Sequence, residues 1–246
     1  MKFPALIATL GALSTPLAAQ EMTDAERESF RAEVRAYLLE NPEVIREAIT
    51  VLEARQAEEA RQQDNALVAA NADALFETPT SYVGGNPDGD VTVVEFLDYR
   101  CGYCKRAHPE IAALLAGDAN IRYVIKEFPI LGEESVLASR YALAVQDIAG
   151  DDTYFDVHNT LMEFEGNFTD ASLARVSDAF GLDHDAIAEK MGSEEVTAVI
   201  YENRLLAQKL AISGTPSFVF QDEMVRGYIP LPQMEAIVEA ARSADG

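Results

Sequence analysis

The run Val91-Thr92-Val93-Val94-Glu95-Phe96-Leu97 leads, three residues later, into Cys101-Gly102-Tyr103-Cys104, and this junction narrows the range of folds open to the chain. An apolar, β-branched run preceded by the turn-rich stretch Val83-Gly84-Gly85-Asn86-Pro87-Asp88-Gly89-Asp90 reads as a buried strand. The residues after the cysteines read as a helix to about Ala116, stopped by Gly117. A cysteine where a strand passes into a helix lies over unsatisfied backbone N–H groups at the positive end of the helix dipole, where a thiolate is stabilised. Cys101 is therefore the expected nucleophile, and Cys104, one turn into the helix, the residue that resolves a mixed disulfide.

These are the only two cysteines in the sequence. A zinc ribbon or knuckle needs a second pair of soft ligands and is excluded. His108, one turn beyond Cys104, could act as a third ligand, but a structural role on its helix is the weightier reading. A bridge spanning two residues removes little unfolded-state entropy, so the pair reads as redox-active rather than as a staple. The balance of 19 Lys and Arg against 42 Asp and Glu, a formal charge of -23, repels phosphates and anionic head groups and makes nucleic acid a poor partner.

The N-terminus has Lys2, then an apolar stretch over 3–13, then Ser14-Thr15-Pro16-Leu17-Ala18-Ala19. This is the pattern of a secretory signal peptide, expected over 1–19. Its apolar part is roughly ten residues, short of the about 20 that span a bilayer, so no stable membrane insertion is expected. Export implies a periplasmic or equivalent oxidising space, where thiol pairs exchange with disulfides.

Residues 20–78 read as an all-helical arm. Thr23-Asp24-Ala25-Glu26 is a capping box, followed by Phe30, Val34, Tyr37 and Leu38 at helical spacing. Asn41-Pro42-Glu43 opens a second helix carrying Val44, Ile45, Ile49 and Leu52. The stretch 53–65 has helix propensity but no apolar stripe and reads as a solvated connector. A continuous helix over 42–76 would be about 50 Å long at about 1.5 Å per residue. So small an apolar head is expected to bury itself against copies of the chain, as a homo-dimer or homo-trimer; docking on its own catalytic domain is the alternative.

From 79 to 246 the pattern is α/β: a second strand over 121–128, a helical insertion over about 133–210 punctuated by Gly150, Gly166 and Gly181, then Ser217-Phe218-Val219-Phe220, a turn, Met224-Val225-Arg226 and a last helix.

In these residues the chain resembles the DsbA-like family of exported thiol:disulfide oxidoreductases with a thioredoxin-like fold. Glu95 lies six residues before Cys101, where the family has a buried acid, and Pro109 eight residues after it, where the active-site helix kinks. Thr215-Pro216-Ser217-Phe218-Val219 resembles the family's cis-proline strand facing the disulfide. The resemblance implies that Glu95 carries the proton of Cys104, its own pKa raised by burial, and that Thr215 and Pro216 face the sulfurs. Lys126 either pairs with Glu95 or points outward, and Asp98 and Arg100 read as surface groups that either tune the potential around Cys101 or are simply solvated.

Gly-Tyr between the cysteines and Thr before the proline depart from the Pro-His and Val of strong oxidases and are similar to the pattern of dimeric periplasmic isomerases. Leu38-Leu39-Glu40-Asn41-Pro42-Glu43-Val44-Ile45 resembles the oligomerisation arm of the ScsC, or suppressor-of-copper-sensitivity, group. Three functions follow: an isomerase or reductase, a dithiol oxidase, or a copper(I)-binding thiol protein. No resident cofactor is expected beyond the cysteine pair, copper(I) being an accessory role suited to soft thiolates. The implied partners are cysteine-containing exported proteins and a membrane redox partner.

Overall fold

The structure, a computed structural model, describes residues 22–77 and 79–244, and the expected leader lies outside them. It divides into two compact units, Met1–Gln56 and Ala57–Gly246.

The first unit is helical. Helix α1 (Asp24–Glu40) is opened by the expected capping box: Glu26 N–H donates to Thr23 Oγ1 at 3.3 Å and Thr23 N–H to Glu26 Oε2 at 2.8 Å. Asn41 closes it, its backbone and side-chain nitrogens both donating to the Tyr37 carbonyl. Helix α2 (Glu43–Ala70) follows. No residue of α1 is buried, and Phe30, Val34, Tyr37, Leu39, Ile45, Ile49 and Leu52 are 40% to 67% exposed. Phe30, Val34, Leu38, Leu39 and Ile45 line an apolar groove within this unit.

In the second unit the end of α2 enters the core. The helix stops at Ala70 and does not run on to 76, because Asn71 leaves helical geometry (φ -122°, ψ 19°) and its side-chain amide takes the Leu67 carbonyl at 2.8 Å. A short helix, α3 (Ala72–Phe76), follows. Val68 and Leu75, both beyond the 53–65 stretch read as a solvated connector, are buried against the sheet.

The sheet has the order β1-β3-β2-β4-β5, with β1 (Val83–Gly85), β2 (Val91–Leu97), β3 (Ile121–Glu127), β4 (Ser217–Phe220) and β5 (Glu223–Arg226). Only β2 and β3 run parallel, joined across α4 (Gly102–Gly117). Within the stretch read as turn, Val83, Gly84 and Gly85 form edge strand β1, paired antiparallel with β3. Gly85 has φ +66°, and a Cβ there would strike the Ile121 carbonyl, so the close approach of the two strands requires glycine. At the opposite edge Arg226 holds both carboxylate oxygens of Asp64 on α2, at 2.5 and 2.8 Å.

Both faces of the sheet are covered, which is why β2 reads as one apolar run instead of alternating. One face carries Val91, Val93, Leu97, Tyr123 and Ile125 under α4, the first three helices of the insertion and α9 (Leu231–Ala244). The other carries Val94, Phe96, Val124 and Val219 against Val68, Leu75 and Leu206. The insertion comprises α5 (Glu133–Glu163), α6 (Asp170–Phe180), α7 (His184–Met191) and α8 (Glu194–Lys209). All three glycines that punctuate it have positive φ, and Gly150 (φ +84°) breaks α5 into two segments.

Candidate active site

Cys101 is the N-cap of α4 and Cys104 lies in its first turn; both are free thiols, Cys104 fully buried and Cys101 only 6% exposed. The Cys104 thiol, donating to the Cys101 sulfur, is the largest influence drawing the Cys101 pKa down to about 5; burial opposes it, and Thr215 and the backbone N–H groups of Tyr103 and Cys104 add to it. Cys104 moves the opposite way, far above the ordinary thiol range, first through burial and then through its bond to Cys101 and the charge of Glu95. The two sulfurs are thus separated into a thiolate and a thiol. Iodoacetamide is expected to label the reduced protein at Cys101 with a midpoint near pH 5 and to leave Cys104 unlabelled until unfolding; equal labelling, read by peptide mass, would remove the division of roles.

Opposite the sulfurs, the Thr215–Pro216 peptide is cis. The Thr215 carbonyl lies 3.1 Å from Cys101 Sγ and accepts from the thiol, while the buried Thr215 hydroxyl has no hydrogen-bond partner among the described residues. Once Cys101 ionises, its sulfur becomes an acceptor and that idle hydroxyl the available donor. Thr215→Val should raise the Cys101 pKa and lower the reduction potential by up to about 30 mV, the equivalent of about 1.4 kcal/mol. Equilibration against glutathione measures it.

Glu95, on β2, lies beneath the pair, paired in register with Ile125 on one side and Phe218 on the other. It is 3% exposed and accepts a hydrogen bond from the Tyr123 hydroxyl. Burial raises its pKa to about 7, against the Tyr123 bond, with help from the charges of Cys101 and Glu127. A carboxyl poised near neutrality beside a buried thiol can give or take a proton. Tyr123 was not legible as its partner; the only signal is its odd-numbered place on β3.

Lys126 does neither thing expected of it. It lies opposite Phe96, on the other face of the sheet from Glu95, where its ammonium donates to the Ala74 carbonyl at 3.0 Å and Ser81 Oγ at 3.1 Å. It is buried, and burial lowers its pKa to about 8. Asp98 is also no surface group. It is fully buried, accepting from the backbone N–H of Arg100 (2.8 Å), Ile130 (2.8 Å) and Leu131 (3.0 Å), while its carbonyl receives Cys101 N–H at 3.0 Å. Arg100 is at the surface and reaches the Gly166 carbonyl at 2.7 Å and Glu134 at 3.5 Å. His108 packs edge-on against His158, centroids 5.4 Å apart. Tyr103, Ile130 and Leu131 leave exposed apolar surface around this end of α4.

Residues 92–239, more than half of the chain, match the DSBA-like thioredoxin domain, and residues 26–59 match the copper resistance protein ScsC N-terminal domain. A thioredoxin-like oxidoreductase from Silicibacter pomeroyi DSS-3 is 43% identical with a TM-score of 0.66, covering 70% of this chain and 97% of that one. Proteus mirabilis ScsC in a transitional conformation is 29% identical with a TM-score of 0.66, covering 91% and 98%. A Na(+)/H(+) antiporter, NhaA 1 of Salinispora arenicola (strain CNS-205), is 29% identical over 161 residues, which are 65% of this chain and 24% of that protein. The chain thus spans about a quarter of the length of the first curated relatives it matches, 24% in each. No helix among the described residues is long and apolar enough to cross a membrane. A strand-borne acid, a Cys-x-x-Cys at a helix start and a facing cis proline, within a matched span that contains all three, accompany that match, and the chain belongs to the DSBA-like thioredoxin domain family.

Proposed function

We propose that the protein is an exported, oligomeric disulfide isomerase or reductase that acts on cysteine-containing proteins in the periplasm. Cys101 attacks a substrate disulfide, Cys104 resolves the mixed disulfide, Glu95 carries the Cys104 proton, and Thr215 with Pro216 presents the opposing surface to the substrate. Electrons reside in the cysteine pair without a further cofactor, and a membrane redox partner restores the reduced state. The leader-like residues 1–19 support export.

The observation that carries the oligomeric reading is the exposed apolar face of α1 and the start of α2. A two-helix unit that buries none of α1 gains stability by pairing that face with another copy. Linked active sites raise the local concentration of attacking thiolates on one scrambled chain. The arm expected over 20–78 cannot all be removed as a test, because Asp64, Val68 and Leu75 belong to the second unit. Deletion of residues 20–56 respects the unit boundary. The full-length protein is expected to sediment as a dimer or trimer and the deletion as a monomer. Reshuffling of scrambled ribonuclease should fall about tenfold further than dithiol exchange per site. A monomeric full-length protein, or a deletion that reshuffles as well as the parent, would return the reading to a monomeric oxidase.

A further inference from the structure

A second carboxylate is buried on the same sheet face as Glu95. Glu127 pairs in register with Leu97, and Glu95 with Ile125, so the two acids lie one diagonal apart on adjacent parallel strands. Glu127 is 1% exposed and holds three hydroxyl donors: Tyr99 and Tyr154 on Oε1, each at 2.7 Å, and Ser139 on Oε2 at 2.7 Å. The Tyr99 oxygen also lies 3.1 Å from His158 Nδ1. His158 is buried and packs against His108, which lines a surface groove with Leu115, Phe155, Asn159 and Glu163.

We propose that Glu127 is a positioning residue of the exchange reaction, fixing the charge on Glu95 and receiving its own proton through His158 and Tyr99. This rests on Glu95 as the proton carrier of Cys104. The hydrogen-bond chain allows two complete arrangements. With Glu127 ionised, both tyrosines and Ser139 donate to it, and His158 Nδ1–H donates to the Tyr99 oxygen. When a proton arrives at His158 Nε2, the Nδ1 proton passes to Tyr99, the Tyr99 proton passes to Glu127, and His158 is left as the other neutral tautomer. The His158 Nδ1–Tyr99 and Tyr99–Glu127 hydrogen bonds persist in both arrangements with their directions reversed, and the transfer ends with Glu127 neutral and His158 uncharged.

The groups facing Glu127 are Asp98 and Glu95 from β2 and its end, Tyr99, and Tyr154 and His158 from α5; Asn203 on α8 takes only its backbone carbonyl. Burial raises the Glu127 pKa to about 7, Asp98 adding to the rise and the hydroxyls opposing it. Burial lowers His158 to about 3, so it passes protons as a neutral ring. Two neighbouring buried acids with similar proton affinities share protons as a pair. An anionic Glu127 keeps Glu95 protonated and ready to supply Cys104 when the disulfide is opened. A protonated Glu127 lets Glu95 ionise and accept the Cys104 proton as that sulfur bonds to Cys101, the substrate sulfur leaving with the electron pair as thiolate.

The test is the pH profile for resolution of a mixed disulfide between Cys101 and glutathione in the full-length protein. Glu127→Gln removes the charge and should move the profile to lower pH by on the order of one unit. Tyr99→Phe removes a donor that favours the Glu127 anion, so it should move the profile in the same direction by less, and it supplies the test if the Gln variant does not fold. In a Glu95→Gln background neither substitution should move the profile. Folded variants with the parental profile, or an equal shift in the Glu95→Gln background, overturn the proposal for Glu127 alone; a Glu95→Gln protein with parental rate and profile overturns the Glu95 reading and this one with it.

Discussion

Glu95→Gln is expected to slow the attack of Cys104 on a mixed disulfide by about two orders of magnitude, the span general acid–base catalysis commonly supplies, while capture of substrate by Cys101 changes little. The amide keeps the shape of the carboxyl and can still accept from Tyr123, but it cannot take a proton from a thiol whose own pKa is far above neutrality. Stopped-flow separation of capture and resolution measures both steps, and equal slowing of the two would make Glu95 a packing residue. The same substitution should alter stability with pH. The folded carboxyl keeps its proton up to about pH 7, whereas the unfolded one releases it near its ordinary value of 4.5. Between those values the folded state binds more protons, so stability is greatest below the window and falls as pH rises through it, by roughly 3 kcal/mol from this group. In Glu95→Gln that decline should be absent, leaving the similar contribution of Glu127.

Asp98→Ala is expected to cost about 3 kcal/mol, because three backbone N–H groups lose the buried carboxyl acceptor they share and the turn before Cys101 loses its tie to the Ile130–Leu131 backbone. The loss should appear as a lower urea midpoint at an unchanged slope. Asp98→Asn, which retains one acceptor oxygen, should lie between the two. Because Asp98 joins the Cys101 turn to the Ile130–Leu131 backbone, the alanine variant should also lose the uniform reactivity of Cys101 toward iodoacetamide. A variant with parental stability would place Asp98 outside the frame of the site.

The parts of the site that lie close together in sequence were legible and Thr215–Pro216 was legible through the family resemblance, whereas the buried partners that the sheet register brings together were not. The strand running into Cys101, the helix opening at Gly102 and the break at Gly150 each depend on local dihedral or capping preferences, which the residues themselves carry. The placement of Lys126 depends on parity. With both faces of β3 apolar, hydrophobic alternation gives no indication of which residues share a face with Glu95, and only the β2–β3 register places Tyr123 and Glu127 there. Asp98 fails for a different reason: an acid between a strand and a turn resembles a solvated one, and two of its three donors come from 32 and 33 residues away.

The sheet ends in two short borders. Strand β1 has three residues, two of them glycine, and β5 has four and finishes at an arginine clamped to Asp64. A long, flat margin would offer its free N–H and C=O groups as a template to any extended chain nearby. A protein that handles unfolded substrates, as proposed, meets such chains as a matter of course. Blunt margins direct those encounters toward the sulfur chemistry at the end of α4 and away from strand addition, so the catalyst resists co-aggregating with the polypeptides it repairs.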